Sequence, residues 1–292
     1  MYGFSRIHSL YVKHTISAMR FSVQTTILVL FALLTFSCSG KGRGPKIYLM
    51  EADKAYREGN YSLAKLKIDS IKTVYPKAFD EIREGFSLMQ EVRLAENQRN
   101  IAFCDSMLRE SYDQLNEMLT RFDFVRDDRY QEFGEYYPKA YPHQTSLGRN
   151  GLRSGVREKG ALFIESILLG STVSHNKVRV TSRDGSFAET GVVTADGLNY
   201  RFNTSERSYE IVRYIGNDEN GIAQFIYTFH DQPLAVHFMG SRTVTANLTD
   251  AAKRGISHSF ELSKLLLDIE QLKLEKEKSE VLIRYLQSRK EK

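Results

Sequence analysis

"LAENQRNIAFCDSMLRESYDQLNEMLTRF", Leu94 to Phe122, places Leu94, Ile101, Leu108, Leu115 and Phe122 seven residues apart. Asn97, Cys104, Ser111 and Met118 recur on the alternate seam. A seven-residue repeat of this kind is the pattern of one long helix with a single packing stripe. It extends back to Phe79 and predicts a helix over 79–122. Polar Asn97 and Ser111 make the stripe less apolar than a free-standing coiled coil prefers. A second stripe, Ser257 to Gln287, carries Leu262, Leu265, Ile269, Leu272, Ile283 and Leu286, interrupted by Lys276 and Ser279. Charged residues from Glu270 to Lys278 surround it as on a solvated helix. Two such helices at the two ends of one region predict an antiparallel stalk, 79–122 against 257–290, with the rest of the chain inserted between them.

Between the stripes the period changes from helical to alternating. Strands are expected at Leu162–Leu169, Lys177–Thr181, Ser186–Val193, Asn199–Asn203, Tyr209–Ile215, Ala223–Phe229, Leu234–Phe238 and Thr243–Leu248. Asp184-Gly185, Asp196-Gly197, Gly216-Asn217-Asp218, Asn220-Gly221 and Asp231-Gln232-Pro233 supply turns between them. Short strands joined by tight turns predict an antiparallel β meander or a partly closed barrel over 161–250. The stretch 126–160, rich in proline, glycine and tyrosine, reads as a loop. The fold class is α+β.

Upstream of the stalk, "PKIYLMEADKAYREGNYSLAKLKIDSIKTVYPKA" (Pro45 to Ala78) predicts a helical hairpin. Ala52 lets two helices approach, Gly59-Asn60 turns the chain, and Pro76 ends the second helix. Tyr48, Ala52, Ala55, Gly59, Tyr61, Ala64, Ile68, Ile71 and Pro76 together resemble a single tetratricopeptide repeat. One repeat cannot bury its own faces, so the hairpin closes on something else. The helical region is expected over 46–125.

The N-terminal segment is of a different kind. Ile27 to Leu34 is an apolar run shorter than the ~20 residues needed to span a bilayer and is the expected core of a secretory signal over 1–37. "MRFSVQTTILVLFALLTFSC" (Met19 to Cys38) has the proportions of such a signal, with Met19 as its start. Leu34, Thr35, Phe36 and Ser37 before Cys38 resemble the lipobox of Bacteroidetes-type bacterial lipoproteins, with Thr35 and Phe36 departing from its commoner residues. The resemblance implies cleavage before Cys38, acylation of that cysteine and a membrane anchor, with 38–45 as a flexible tether. The tether is basic (Lys41, Arg43, Lys46), which by the same resemblance places the protein on the periplasmic face of the outer membrane. Cys104 is then left without a partner and, lying on an apolar stripe, is expected as a buried free thiol. Asp69-Ser70-Ile71 and Asp105-Ser106-Met107 resemble a short O-glycosylation signal of the same bacterial group.

Composition, 41% hydrophobic and 26% charged, is that of a globular chain. The net charge of +5 comes mostly from Arg6, Lys13 and Arg20 in the signal. Without them 38 basic residues face 36 acidic ones, too nearly balanced for nonspecific nucleic-acid binding. The sequence has no phosphate-binding glycine loop, dinucleotide fingerprint or nucleophile elbow, and no histidine pair at metal-ligand spacing. No cofactor or metal is expected. His230 and His237 flank a turn.

Two stretches stand out as binding surfaces. "GEYYPKAYPHQ" presents Tyr136, Tyr137, Tyr141 and His143, flat hydrogen-bonding rings of the kind used at peptide or glycan contacts. "RNGLRSGVREK" presents Arg149, Arg153, Arg157 and Lys159, cations suited to an anionic partner or a lipid surface. The competing readings are that the rings pin the loop and the cations form a solvated face. The expected function is a noncatalytic envelope scaffold or interaction lipoprotein with a protein or glycan partner. A ligand-binding lipoprotein stands second, favoured by a spacious apolar cavity. An envelope hydrolase stands third and requires His143, His175 or Asp127 to converge in a cleft.

Overall fold

Asn60 decides where the second helix begins: its Oδ1 accepts the N–H of Leu63 at 3.2 Å, and Gly59 before it takes φ +73°. In the computed structural model, which describes residues 44–129, 131–170, 172–194 and 199–290, α1 spans Gly44–Arg57 and α2 spans Tyr61–Val74. The long helix α3 follows, Phe79–Leu119. The described chain divides into two compact units, one ending at Glu96 and one beginning at Asn97, with the boundary inside α3.

In the first unit α1, α2 and the start of α3 share a small core of Ala52, Ala55, Ala64, Ile68, Met89 and Val92. Small alanines at the α1–α2 crossing allow the close approach. Lys67–Glu51 (2.6 Å) and Lys65–Glu96 (2.8 Å) tie the helices at the rim.

The second unit is built on two antiparallel sheets. The strands of the first are β1 (Phe122–Val125), β2 (Glu135–Pro138), β3 (Gly151–Arg157), β4 (Leu162–Leu169), β7 (Asn199–Asn203) and β8 (Ser208–Ile215), in the order β1-β2-β3-β4-β8-β7. The second holds β5 (Lys177–Thr181), β6 (Phe187–Glu189), β9 (Ala235–Met239) and β10 (Thr243–Asn247), in the order β10-β9-β5-β6. This corrects the expected meander or partly closed barrel. The chain leaves the first sheet after β4, builds β5 and β6 of the second, returns for β7 and β8, and leaves again. Inner-face residues of the two sheets meet in one core: Leu152, Ile164, Leu168, Val212 and Tyr214 from the first, Val178, Val180, Val236 and Phe238 from the second. Two sheets closing on each other bury their apolar faces without joining their edges.

Four further expectations are corrected. Ala223–Phe229, expected as a strand, is a short helix α4, Ile222–Thr228, whose Ile222, Ala223 and Ile226 enter the core. An apolar run this short does not by itself distinguish strand from helix, and Gly221 at φ +81° starts the turn. The expected loop 126–160 contains β2 and β3, and the expected Ser186–Val193 strand is only β6. The C-terminal helix α5 begins at Asp250 rather than near 257 and runs to Lys290. Its Ala252 and Ile256 join the two-sheet core, and Leu262 and Leu266 pack with Phe122 and Val156.

Farther along, α5 meets the second-unit part of α3 through Asn100 with Ser279 (2.8 Å) and Asp105 with Lys276 (2.6 Å). The Lys273 ammonium lies 5.8 Å from the Tyr112 ring centre. The residue numbers run in opposite senses along the two helices. The polar interruptions of the C-terminal stripe, Lys276 and Ser279, are the residues that find polar partners. Cys104 is a buried free thiol, its pKa raised by burial. No helix among the described residues is long and apolar enough to cross a membrane. Cys38, the tether before Gly44 and the Asp196-Gly197 turn lie outside the described residues.

Candidate functional site

Strand alternation sorts the candidate residues onto two faces. On β3, Leu152, Ser154 and Val156 face the α5 and inter-sheet side, and Arg153, Gly155 and Arg157 face the other. The spacing of four between Arg153 and Arg157 is an even number, so in a strand it keeps both on one face. Register places Arg153 opposite Glu165 on β4, Glu165 opposite Arg213 on β8, and Arg157 opposite Glu135 on β2. Four strands therefore put three arginines and two glutamates side by side.

The resulting network is closely bonded. Arg213 Nε donates to Glu165 Oε1 at 2.8 Å, and its Nη1 donates to Glu135 Oε1 at 2.8 Å. Arg153 Nε donates to Glu165 Oε2 at 2.5 Å, and its Nη1 donates to the His143 carbonyl (2.9 Å) and Ser146 Oγ (3.2 Å). Tyr137 Oη donates to Glu135 Oε2 at 2.5 Å. The Arg213 guanidinium lies 4.0 Å from the centre of the Phe163 ring. That ring lies over Gly155: a Cβ there would come within 2.3 Å of it, so only glycine leaves room. His143 stacks edge-on to Tyr137 at 4.7 Å and brings its Nε2 to 3.8 Å from Glu165.

Burial would push the Glu165 carboxyl up, but His143 and the two guanidinium groups hold it down, at about 2. Burial also pushes the Tyr137 phenol up, helped by Glu135. Arg213 is held protonated by its two carboxylates against the cost of its burial. At neutral pH the cluster is a fixed set of charges with its hydrogen-bonding groups paired among themselves. Its rim is different: His143, Arg149 and Arg157 reach solvent.

The other sequence candidates are dispersed. Tyr136 points to the opposite face, against Phe124 at 4.9 Å and the α5 cluster. Tyr141 packs on the two-sheet core beside Gly255, where a Cβ would lie 2.9 Å from it. These two rings pin the 139–150 segment. Arg153 is buried rather than solvated. Lys159 lies 4.3 Å from the Phe133 ring centre. Asp127 pairs with Arg129 in an exposed turn. His230 bonds the Tyr227 carbonyl and pairs with Asp231, whereas His237 bonds Thr245 Oγ1. Ser106 is exposed, and Ser70 donates to the Leu66 carbonyl.

A second arrangement lies on the inner face of the same sheet. His175 Nδ1–H donates to Glu210 Oε2 at 2.8 Å, and His175 Nε2 accepts from Ser166 Oγ at 2.7 Å. Burial pushes the His175 pKa below its ordinary value and so favours the neutral ring. Burial raises the Glu210 carboxyl, but hydrogen bonds from the His175 ring and from the Ser174 and His175 backbone outweigh it, so Glu210 stays ionised. The order serine–histidine–carboxylate is that of a nucleophile, its base and an orienting acid. Yet Ser166, His175 and Glu210 are each at most 1% exposed, with the His175 ring edge-on to Phe238. Ser166 sits mid-strand with β8 beside it, so a substrate would have to part the two sheets to reach it. The arrangement instead holds the 172–176 crossover: Glu210 accepts both backbone N–H groups, one from Ser174 at φ +51°. His143 and His175 thus lie on opposite faces of the sheet and do not share a cleft.

Neither cluster was assembled by sequence reading, because Glu135, Glu165, Ser166, Glu210 and Arg213 belong to no local motif. A signal was present: "LFIESILL" and "SYEIVRYI" each set charge in an otherwise apolar strand. A charge so placed must find an opposite charge on a neighbouring strand. Among the described residues no group of three His, Cys, Asp or Glu side chains is placed to hold a metal. No protein-family model, curated protein or solved structure matches the chain.

Proposed function

We propose that the protein is a noncatalytic interaction lipoprotein of the bacterial envelope. Acylated Cys38 anchors it to the periplasmic face of the outer membrane. The two-sheet unit, braced by α5 against the second-unit part of α3, meets a protein or glycan partner. The observation that carries the proposal is the outer-face cluster. Its buried charges are spent on each other, leaving His143, Arg149 and Arg157 exposed on a rigid strand-borne base. Groups held in this way suit recognition better than acid–base chemistry, which needs a titratable group poised near neutrality. Exposed Tyr200 and Phe202 lie on the same sheet face, with Phe202 stacked on Tyr209 (4.8 Å, 6°), a flat surface suited to a glycan or peptide. The apolar side chains buried between the sheets, Ile164, Leu168, Val212, Val236 and Phe238 among them, support this reading over a ligand-binding lipoprotein, and the burial of Ser166 and His175 supports it over a hydrolase.

In-cell crosslinking tests the proposal. The wild-type protein is expected to capture one discrete protein or glycan. The triple variant His143→Ala/Arg149→Ala/Arg157→Ala is expected to lose it while keeping its membrane fraction and its folded circular dichroism spectrum. Equal capture by the variant would place recognition elsewhere. A lipid or small molecule copurifying in place of a partner would replace this reading with the ligand-binding one.

A further inference from the structure

The first unit exposes large apolar side chains along α2 and α3, Leu66 and Phe86 among them, and gathers four at one end. Gly44 lies under Tyr75, so close that a Cβ at Gly44 would fall 2.2 Å from the phenol oxygen. The start of α1 and the end of α2 are therefore side by side. An open groove of about 590 Å³, lined by Lys46, Leu49 and Met50 of α1 and Asp80, Glu81, Arg83 and Glu84 of α3, brings the first turns of α3 to the same end. Here Ile47 is 48% exposed, Met50 71%, Val74 53% and Phe79 71%. The far end, Glu58 to Asn60, is a polar turn.

What covers this end follows from chain length. Cys38 and Gly44 are six residues apart, and an extended chain advances at most about 3.6 Å per residue, so whatever the tether's conformation Gly44 stays within about 22 Å of Cys38. If Cys38 is acylated, as proposed above, that end of the unit is kept within about 22 Å of the bilayer. We propose that Ile47, Met50, Val74 and Phe79 rest in the headgroup–acyl boundary of the membrane that holds the anchor. Lys46, Lys72 and Lys77 are exposed around them, and Asp80, Glu81, Arg83 and Glu84 line the groove beside them. With charges so balanced, the contact is apolar rather than a response to anionic lipid. Four side chains would hold a free protein weakly, but tethering makes their insertion intramolecular, at high effective concentration.

The chain has no tryptophan, so a single introduced indole reports its own position. Met50→Trp, Phe79→Trp and Leu63→Trp variants of the acylated full chain are reconstituted into vesicles of phosphatidylethanolamine and phosphatidylglycerol, with and without brominated acyl chains. Leu63 is the control, since it lies eleven residues before Val74 on α2, about 16 Å away at 1.5 Å per residue. Emission from the Met50 and Phe79 variants is expected to shift to the blue and fall roughly twofold with brominated lipid, as for a side chain at the acyl boundary. Emission from Leu63→Trp is expected to stay unchanged. Unquenched Met50 and Phe79 variants that still float with the vesicles would overturn the proposal and leave the anchor standing. An N-terminal peptide without acyl mass would remove the anchor and this proposal together. A blue shift that depends on protein concentration without vesicles would assign the surface to a second copy of the chain and overturn it.

Discussion

Arg213→Ala is expected to lower the unfolding free energy of the two-sheet unit by about 3–5 kcal/mol, the range for removing one partner of a buried ion pair. Arg213 is the only side chain that bonds both Glu135 and Glu165 in the cluster described above. Without it the two carboxylates face each other as like charges on a largely buried surface. Glu165 keeps Arg153 and Glu135 keeps Tyr137, but Phe163 loses the guanidinium that covers its ring. The variant also weakens the acid dependence of stability. Glu165, held at about 2 in the folded protein, contributes stability that is fully present above the ordinary carboxylate value near 4.5. That contribution is lost as pH falls towards 2. Removing one of its cations brings the folded value back towards 4.5, so less stability is lost across that window. Urea unfolding followed by circular dichroism measures the size, and amide exchange on β4 and β8 localises it. Arg149→Ala, on the exposed rim, is the control and is expected within about 0.5 kcal/mol of wild type. A loss below about 1 kcal/mol for Arg213→Ala would mean that solvent screens the cluster.

Glu210→Ala has the second large effect. It strips an acceptor from three donors at once: the His175 ring N–H and the backbone N–H groups of Ser174 and His175. Unpaired buried donors cost about 1–3 kcal/mol each before relaxation, so a total of about 3–5 kcal/mol is expected. Loosening of the 172–176 crossover should accompany it, visible as faster amide exchange there. The wild type carries a pH signature from His175. Its folded pKa lies below the ordinary 6.5, so the unfolded chain takes up a proton first as pH falls. Stability is therefore fully present above about 6.5 and declines below it, by up to about 1.4 kcal/mol per pH unit, until the folded ring also protonates. His175→Gln is expected to flatten the profile between pH 6.5 and the carboxylate range. An unchanged slope in that variant would mean that the buried ring is not the group responsible.

How much of this was legible in the sequence follows from which interactions are local. Asn60 and Gly59 mark a turn by their own chemistry, and the stripe from Leu94 to Phe122 is helical over nearly its whole length. Strands β4, β5, β7 and β8 stand within a residue of their expected bounds, because alternation and turn residues are local too. Partner choice between strands is not local. That β4 pairs with β8 across a two-strand excursion, and that the sheets are two rather than one curved surface, depends on which apolar faces close on each other. α4 was misread because seven apolar-rich residues fit either period. The candidate surface was half legible: Tyr137, Arg153 and Arg157 do gather, on strands expected as a loop, with His143 from the segment between them. The residues that gather them, Glu135, Glu165 and Arg213, are spread from β2 to β8, and only the sheet register brings them together.

The proposed biology depends first on Cys38, and the most direct measurement is the mass of the N-terminal peptide of the mature protein, taken with membrane fractionation of wild type and Cys38→Ala. The account predicts a peptide that begins at Cys38 and carries acyl chains. It also predicts wild type in the washed membrane pellet and Cys38→Ala released from it. An unmodified Cys38, or a Cys38→Ala protein that stays in the pellet, would contradict it.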